Sequence, residues 1–174
     1  MDPNDVAPDE KHSALALIGA EHAAFKASLD ALVGQLEIVS AQRLAPDPGL
    51  FDRRLSALAT FMENFHHPKE DEFLFRAVRE RTREADDILA DLQYDHARSP
   101  DRLRELKLAL SATRRGASSQ FEDFATLLDR YARAQLNHMW LENRVLIAIA
   151  ERVLEPADWK AIDAAFRSNQ APSA

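Results

Sequence analysis

The chain has 174 residues, 46% of them apolar and 29% charged, enough apolar material for one sizeable core. Lys and Arg number 22 against 29 Asp and Glu; the net charge of −7 argues against a nucleic-acid binder or a polybasic membrane anchor, both of which need concentrated positive charge. The absence of cysteine excludes disulfides, zinc ribbons, iron–sulfur clusters and thiol chemistry together, so any metal must be held by His and carboxylate.

No apolar run reaches the roughly eighteen residues that a membrane helix needs. Met1 to Glu10 has no basic start followed by an apolar stretch, so it does not read as a signal peptide, and the expectation is a cytoplasmic protein. Only four glycines occur, too few for the tight turns of sandwiches and barrels, while the helix formers Ala, Leu, Arg and Glu dominate. The fold class predicted is all-α.

Residues 1–8 read as a disordered acidic lead, 9–168 as the folded domain and 169–174 as a disordered tail. A first helix is expected from about Asp9 to Gln42, with Leu15, Ile18, His22, Phe25, Leu29, Leu32 and Leu36 on one stripe. Pro46 to Gly49 breaks it. The second helix starts near Leu50 and presents Leu55, Leu58, Met62, Phe65 and Phe73. Pro68 lies inside it and should kink it, because it has no N–H to give the Asn64 carbonyl. Arg79 to Asp87 holds the next turn. The third helix carries Leu89, Leu92, His96, Leu103, Leu106 and Leu110, with a bend expected at Ser99-Pro100, and Gly116 after Arg114 and Arg115 marks its end. Ser118 or Ser119 caps the fourth helix, with Glu122 completing a capping box. That helix runs to about Leu154 and Pro156 ends it. A short fifth helix, residues 157–167, presents Trp159, Ile162 and Phe166. Long helices with short connections imply an up-down-up-down four-helix bundle.

Six histidines occur, at 12, 22, 66, 67, 96 and 138. His66 with Glu70 and His138 with Glu142 repeat the spacing His-x-x-x-Glu, which puts both groups on one helical face. The interval from His22 to His66 is 44 residues and from His96 to His138 is 42, so one hairpin pattern is written twice. Measured from turns centred near Ala45, Arg81 and Ala117, the four rings match in height to within about 3 Å at roughly 1.5 Å rise per residue. They fall on the apolar stripes and so point inward. A buried layer of four imidazoles is costly without partners. With Glu70 and Glu142 it offers four nitrogens and two carboxylates, which suits two metal ions with two imidazoles each, linked by both glutamates. Imidazole with carboxylate suits iron, and manganese or zinc also fit.

These segments carry a resemblance. "AEHAAF" around His22, "FHHPKEDEFLF" around His66 and Glu70, "YDHAR" around His96 and "HMWLEN" around His138 and Glu142, in this order, resemble hemerythrin-like proteins of the HHE cation-binding type over about residues 12–167. The resemblance implies a four-helix bundle with an oxo- or hydroxo-bridged non-haem di-iron centre. His22 and His66 would serve one iron, His96 and His138 the other, and Glu70 and Glu142 would bridge. Such proteins bind oxygen, nitric oxide or peroxide, act as sensors, store iron or assist repair of iron centres. Two departures stand out. Oxygen-carrying members resemble this pattern but have a second histidine one turn from the first on the third helix; here Leu92 and Pro100 occupy those places, which leaves an extra open position on one iron. Repair proteins carry a cysteine-containing N-terminal domain that this sequence lacks.

His67 is expected about 100° away from the site, on the surface or supporting a ligand, and a competing register pairs it with Asp71. His12 reads as solvated. Tyr131, seven residues before His138, faces inward, either donating to a bound species or packing as a core aromatic. Phe25, Phe65 and Phe73 either line a small-ligand pocket or simply pack. The arginine-rich stretches Arg79 to Arg83 and Arg114-Arg115 read as solvated helix ends. An exposed flank such as Trp140 or Trp159 leaves a homodimer open. Three functions are compatible with the residues: a di-iron protein that binds or senses a small diatomic ligand or peroxide, a di-iron oxidase or peroxide-degrading enzyme, and a metal-free helical interaction scaffold.

Overall fold

A computed structural model describes residues 10–42, 46–113 and 118–168. The expected lead and tail, the turn centres Ala45 and Ala117, Gly116, Arg114-Arg115 and the side chains of Ser118 and Ser119 lie outside what it describes. Four helical rods and a short fifth helix make up the rest: α1 (Glu10–Gln42), α2 (residues 48–81), α3 (Asp86–Thr113), α4 (residues 118–153) and α5 (Pro156–Ser168). Consecutive rods pack on one another and α1 packs on α4, which closes the up-down-up-down bundle.

Local chemistry sets the ends. Pro48 occupies the first turn of α2, where no N–H is needed, and the Asp47 carboxylate accepts from the amides of Gly49 and Leu50 at 2.9 and 3.1 Å. The turn from α2 to α3 is tied by the Glu84 amide donating to Thr82 Oγ1 at 3.1 Å. The arginines there behave as solvated ends: Arg81 pairs with Asp158 and Glu155, and Arg83 with Asp86.

Two rods are not regular α-helices. In α2, π-turns at Met62–His66 (π1) and Glu70–Phe75 (π2) flank a single α-turn, His67–Lys69, that contains Pro68. The disturbance expected at Pro68 therefore takes the form of two register changes; the His67 amide donates to Met62, five residues back. A third π-turn, π3 (Glu142–Leu146), interrupts α4, and no proline or glycine announces it. Wide turns hold extra residues, so the apolar stripe shifts along α2. Phe65 and Phe73, expected in the core, are only half-buried, while Leu74 and Phe75 take the inward places. By contrast, α3 remains helical through Pro100.

The core is divided. One apolar cluster gathers Phe25, Leu29, Leu32, Phe51, Leu55, Leu106 and Phe124. The other gathers Ile18, Phe75, Leu89, Leu146, Trp159, Ile162 and Phe166. Between them lies the histidine and glutamate layer. Helix α5 closes the second cluster: Phe166 is fully buried, and its ring lies under the Lys69 ammonium at 4.6 Å from the centroid. Trp159, expected as a candidate exposed flank, is 3% exposed because α5 turns it inward; Trp140 on α4 is 56% exposed. Truncating Phe166 to Ala leaves a ring-sized void and is expected to cost about 3–5 kcal/mol, read as a lower urea midpoint at unchanged slope.

Candidate metal centre

Six side chains from four rods meet in the polar layer. The Nε2 atoms of His22 and His66 stand 3.1 Å apart, and those of His96 and His138 also 3.1 Å apart. Between the pairs sit Glu70 and Glu142, 0% and 1% exposed. Glu70 Oε1 lies 3.3 Å from His22 Nε2 and 3.1 Å from His66 Nε2, while its Oε2 lies 3.5 Å from His96 Nε2. Glu142 Oε2 is 3.3 Å from His22 and 3.6 Å from His138. Each carboxylate thus faces both imidazole pairs. The spacing of the histidines brings all six candidate ligands together, and two overlapping groups, His22-His66-Glu70-Glu142 and Glu70-His96-His138-Glu142, each place their donor atoms within 4.8 Å of one another.

The outward nitrogens are anchored by residues that the sequence reading missed. His66 Nδ1 is 2.9 Å from Glu21 Oε2, His96 Nδ1 is 3.1 Å from Asp71 Oδ2 and His22 Nδ1 is 3.1 Å from Asn143 Oδ1, all hydrogen bonds, while His138 Nδ1 faces Asp95 Oδ2 at a looser 3.5 Å. An acceptor at each Nδ1 favours the tautomer with hydrogen there, which turns the Nε2 lone pair inward. The pattern is cyclic. Glu21 on α1 holds the ring of α2, Asp71 on α2 that of α3, Asp95 on α3 that of α4, and Asn143 on α4 that of α1. Every brace is also the chain neighbour of a candidate ligand: Glu21 of His22, Asp71 of Glu70, Asp95 of His96, Asn143 of Glu142. That adjacency was a readable signal. It also answers the competing register, because Asp71 turns to His96 and not to the centre of the layer.

The electrostatics are extreme. Burial alone would lower the His66 pKa, but the charge of the nearby Glu70 carboxylate and then the hydrogen bond with Glu21 overcome it and raise it to about 9. His22 is likewise raised against its own burial by Glu142 and Glu70. Burial would raise Glu70, yet His66 and His22 hold it well below the ordinary carboxylate range. The layer demands positive charge. Both oxygens of Glu70 and of Glu142 are buried with no hydrogen-bond partner. Protons or cations must answer inward lone pairs and orphaned carboxylate oxygens, and a donor set of imidazole and carboxylate without thiolate fits iron, manganese or zinc.

Of the two places expected for His67, the structure has it against the ring of a candidate ligand. It is buried, not on the surface, and its ring lies flat on that of His96, with centroids 3.8 Å apart and planes at 18°. In π1 successive side chains are separated by a smaller angle than in an α-turn, so His66 and His67 both reach the interior. Burial, then the neighbouring His96, lowers its pKa to about 2 and keeps the imidazole neutral.

Next to the His96–His138 pair is a second polar group. Glu63 lies beside Ser99, and Arg102 bonds Asp95 at 2.8 Å, the same Asp95 that braces His138. Tyr131 and Gln135 continue inward along α4 from His138. Glu63, Ser99, Arg102, Tyr131 and Gln135 each bury a polar atom without a protein partner, an arrangement suited to enclosed water. Burial raises the pKa of the Glu63 carboxyl, and burial followed by Glu63 raises that of the Tyr131 hydroxyl. Of the three phenylalanines proposed for a pocket, Phe25 and Phe65 line a groove with Ala24, Leu58 and Phe61; Phe73 does not. His12 is exposed.

Among the described residues no helix is long and apolar enough to cross a membrane. A search of curated proteins finds no match. A family model, the hemerythrin HHE cation binding domain, matches residues 13–150.

Proposed function

The chain belongs to the hemerythrin HHE cation-binding family, and from that premise we propose that it is a non-haem di-iron protein that binds or senses a small ligand: oxygen, nitric oxide or peroxide. His22 and His66 would hold one iron, His96 and His138 the other, with Glu70 and Glu142 between them. The observation that carries the reading is the facing of two Nε2 pairs, each 3.1 Å apart, across carboxylate oxygens that have no other hydrogen-bond partner. Bound iron would supply Lewis acidity and redox equivalents to the ligand. The chain's own residues do the rest. Glu21, Asp71, Asp95 and Asn143 fix ring orientation, and the apolar clusters on either side exclude bulk water.

A second reading, peroxide degradation, draws on the group of Glu63, Ser99, Tyr131 and Gln135. Their unpartnered atoms would hold water beside the His96–His138 pair, and Glu63 could pass protons to and from it.

Protein produced in iron-rich medium is expected to carry two irons per chain by elemental analysis and to absorb in the near ultraviolet as a bridged ferric pair. Reversible spectral change with oxygen or nitric oxide supports ligand binding; steady oxygen evolution from peroxide supports the enzyme. Colourless protein that binds no metal sinks both and leaves a helical scaffold.

A further inference from the structure

We propose that His67 is a third imidazole for the cation held by His96 and His138, supplied from α2 because α3 has no second ring to give. The inference rests on the di-iron reading above and deepens it by assigning the two cations different surroundings.

Three observations meet here. First, the nitrogens of His67, His96 and His138 lie within 4.8 Å of one another, all three residues buried. Second, the positions one turn on either side of His96 are Leu92 and Pro100, neither of which can coordinate. Third, His22, His66 and His96 each have an outer nitrogen hydrogen-bonded to a brace and His138 faces Asp95 at 3.5 Å, whereas no hydrogen bond to the His67 ring occurs among the described residues. Coordination would give the His67 ring the polar partner that it lacks among the described residues.

The backbone already favours this role. π1 is what turns residues 66 and 67 inward together, so α2 sends one ring toward each pair. The His67 ring lies flat against His96 and 6.2 Å from the His138 ring, centroid to centroid. The ring torsion of histidine is broad. A turn in place therefore presents a nitrogen to the space His96 and His138 share, without moving the chain. The His96–His138 cation then has three imidazoles and the His22–His66 cation two. The more open position for an exogenous ligand falls on the His22–His66 side, opposite to what Leu92 and Pro100 alone suggest.

The test compares iron-loaded wild-type protein with His67→Phe, which keeps a flat ring against His96 but has no lone pair. Release of iron to a chelator is followed optically, with His96→Ala as the calibration for a lost ligand. In His67→Phe one of the two ions is expected to leave at least about 10-fold faster while the other keeps its wild-type rate. If both ions leave at wild-type rates while His96→Ala loses one, His67 only stacks; the proposal is overturned and the di-iron reading stands. If wild-type protein holds no iron pair, the di-iron reading fails and this inference falls with it. Should His67→Phe not fold, a crystal structure of the iron-loaded wild type decides: a His67 nitrogen bonded to the second cation supports the proposal, and a ring still flat on His96 overturns it.

Discussion

Replacing Glu70 with Ala is expected to reduce the metal content from two ions per chain to fewer than one. Glu70 is fully buried, and its two oxygens lie 3.1 to 3.5 Å from the Nε2 atoms of three of the four rings, His22, His66 and His96. Without it, four neutral imidazoles and Glu142 would balance two cations, and each cation would lose an oxygen donor. Elemental analysis after gel filtration reads the result. The variant also bears on the metal-free fold, because the protonated histidines of the layer lose the charge that holds them. Breaking a buried pair in this way costs roughly 3–5 kcal/mol. Glu70→Gln separates the two effects: it keeps the shape, removes the charge, and should lose metal nearly as completely. A variant that still holds two irons as tightly as the parent would show that Glu70 does not bridge.

The second large effect is a reversal of pH dependence on metal loading. In the metal-free protein His66 has its pKa raised to about 9 from the ordinary 6.5. Stability from its protonated form is fully present below about pH 6.5 and is lost as pH rises through about 9. A shift of that size corresponds to on the order of 3 kcal/mol. His22 and His96 are shifted in the same direction and add to the loss. Glu70 is lowered, so its contribution is present above about pH 4.5 and lost as pH falls through its depressed value. The metal-free layer is therefore most secure between about pH 4.5 and 6.5. Cations displace the same protons, so metal affinity should rise with pH over the range in which metal-free stability falls. Urea midpoints of metal-free protein near pH 6 and pH 9.5, set beside zinc competition titrations near pH 6 and pH 8, measure both slopes. A flat metal-free curve across that window would show that protons do not hold the layer together.

The rods and the six candidate ligands were legible because both are matters of spacing. Heptad-like stripes such as Leu89, Leu92, His96 and Leu103 survive wherever the helix is regular, and equal distances from turns put His22, His66, His96 and His138 at one height. What was not legible depends on departures from that regularity. Phe65 and Phe73 were placed inward by counting 3.6 residues per turn, and π1 and π2 broke the count. The same break hid His67, whose burial depends on the wide turn that carries it. Pro68 signalled some disturbance in α2, but nothing in the residues of π3 distinguishes it from ordinary helix. The braces went unread for another reason. Glu21, Asp71, Asp95 and Asn143 look like solvated neighbours of ligands until the next helix is seen to bring its ring to them.

The closed circuit of braces bears on how the centre comes into being. Each rod contributes a ring and steadies the ring of the following rod, with α4 returning the grip to α1. Peeling away any single rod therefore strips one ring from the layer and leaves a second ring free to tumble. Metal capture becomes a checkpoint on chain assembly: a bundle missing one member, or joined in another order, cannot close the circuit, and retained metal reports that all four rods have arrived.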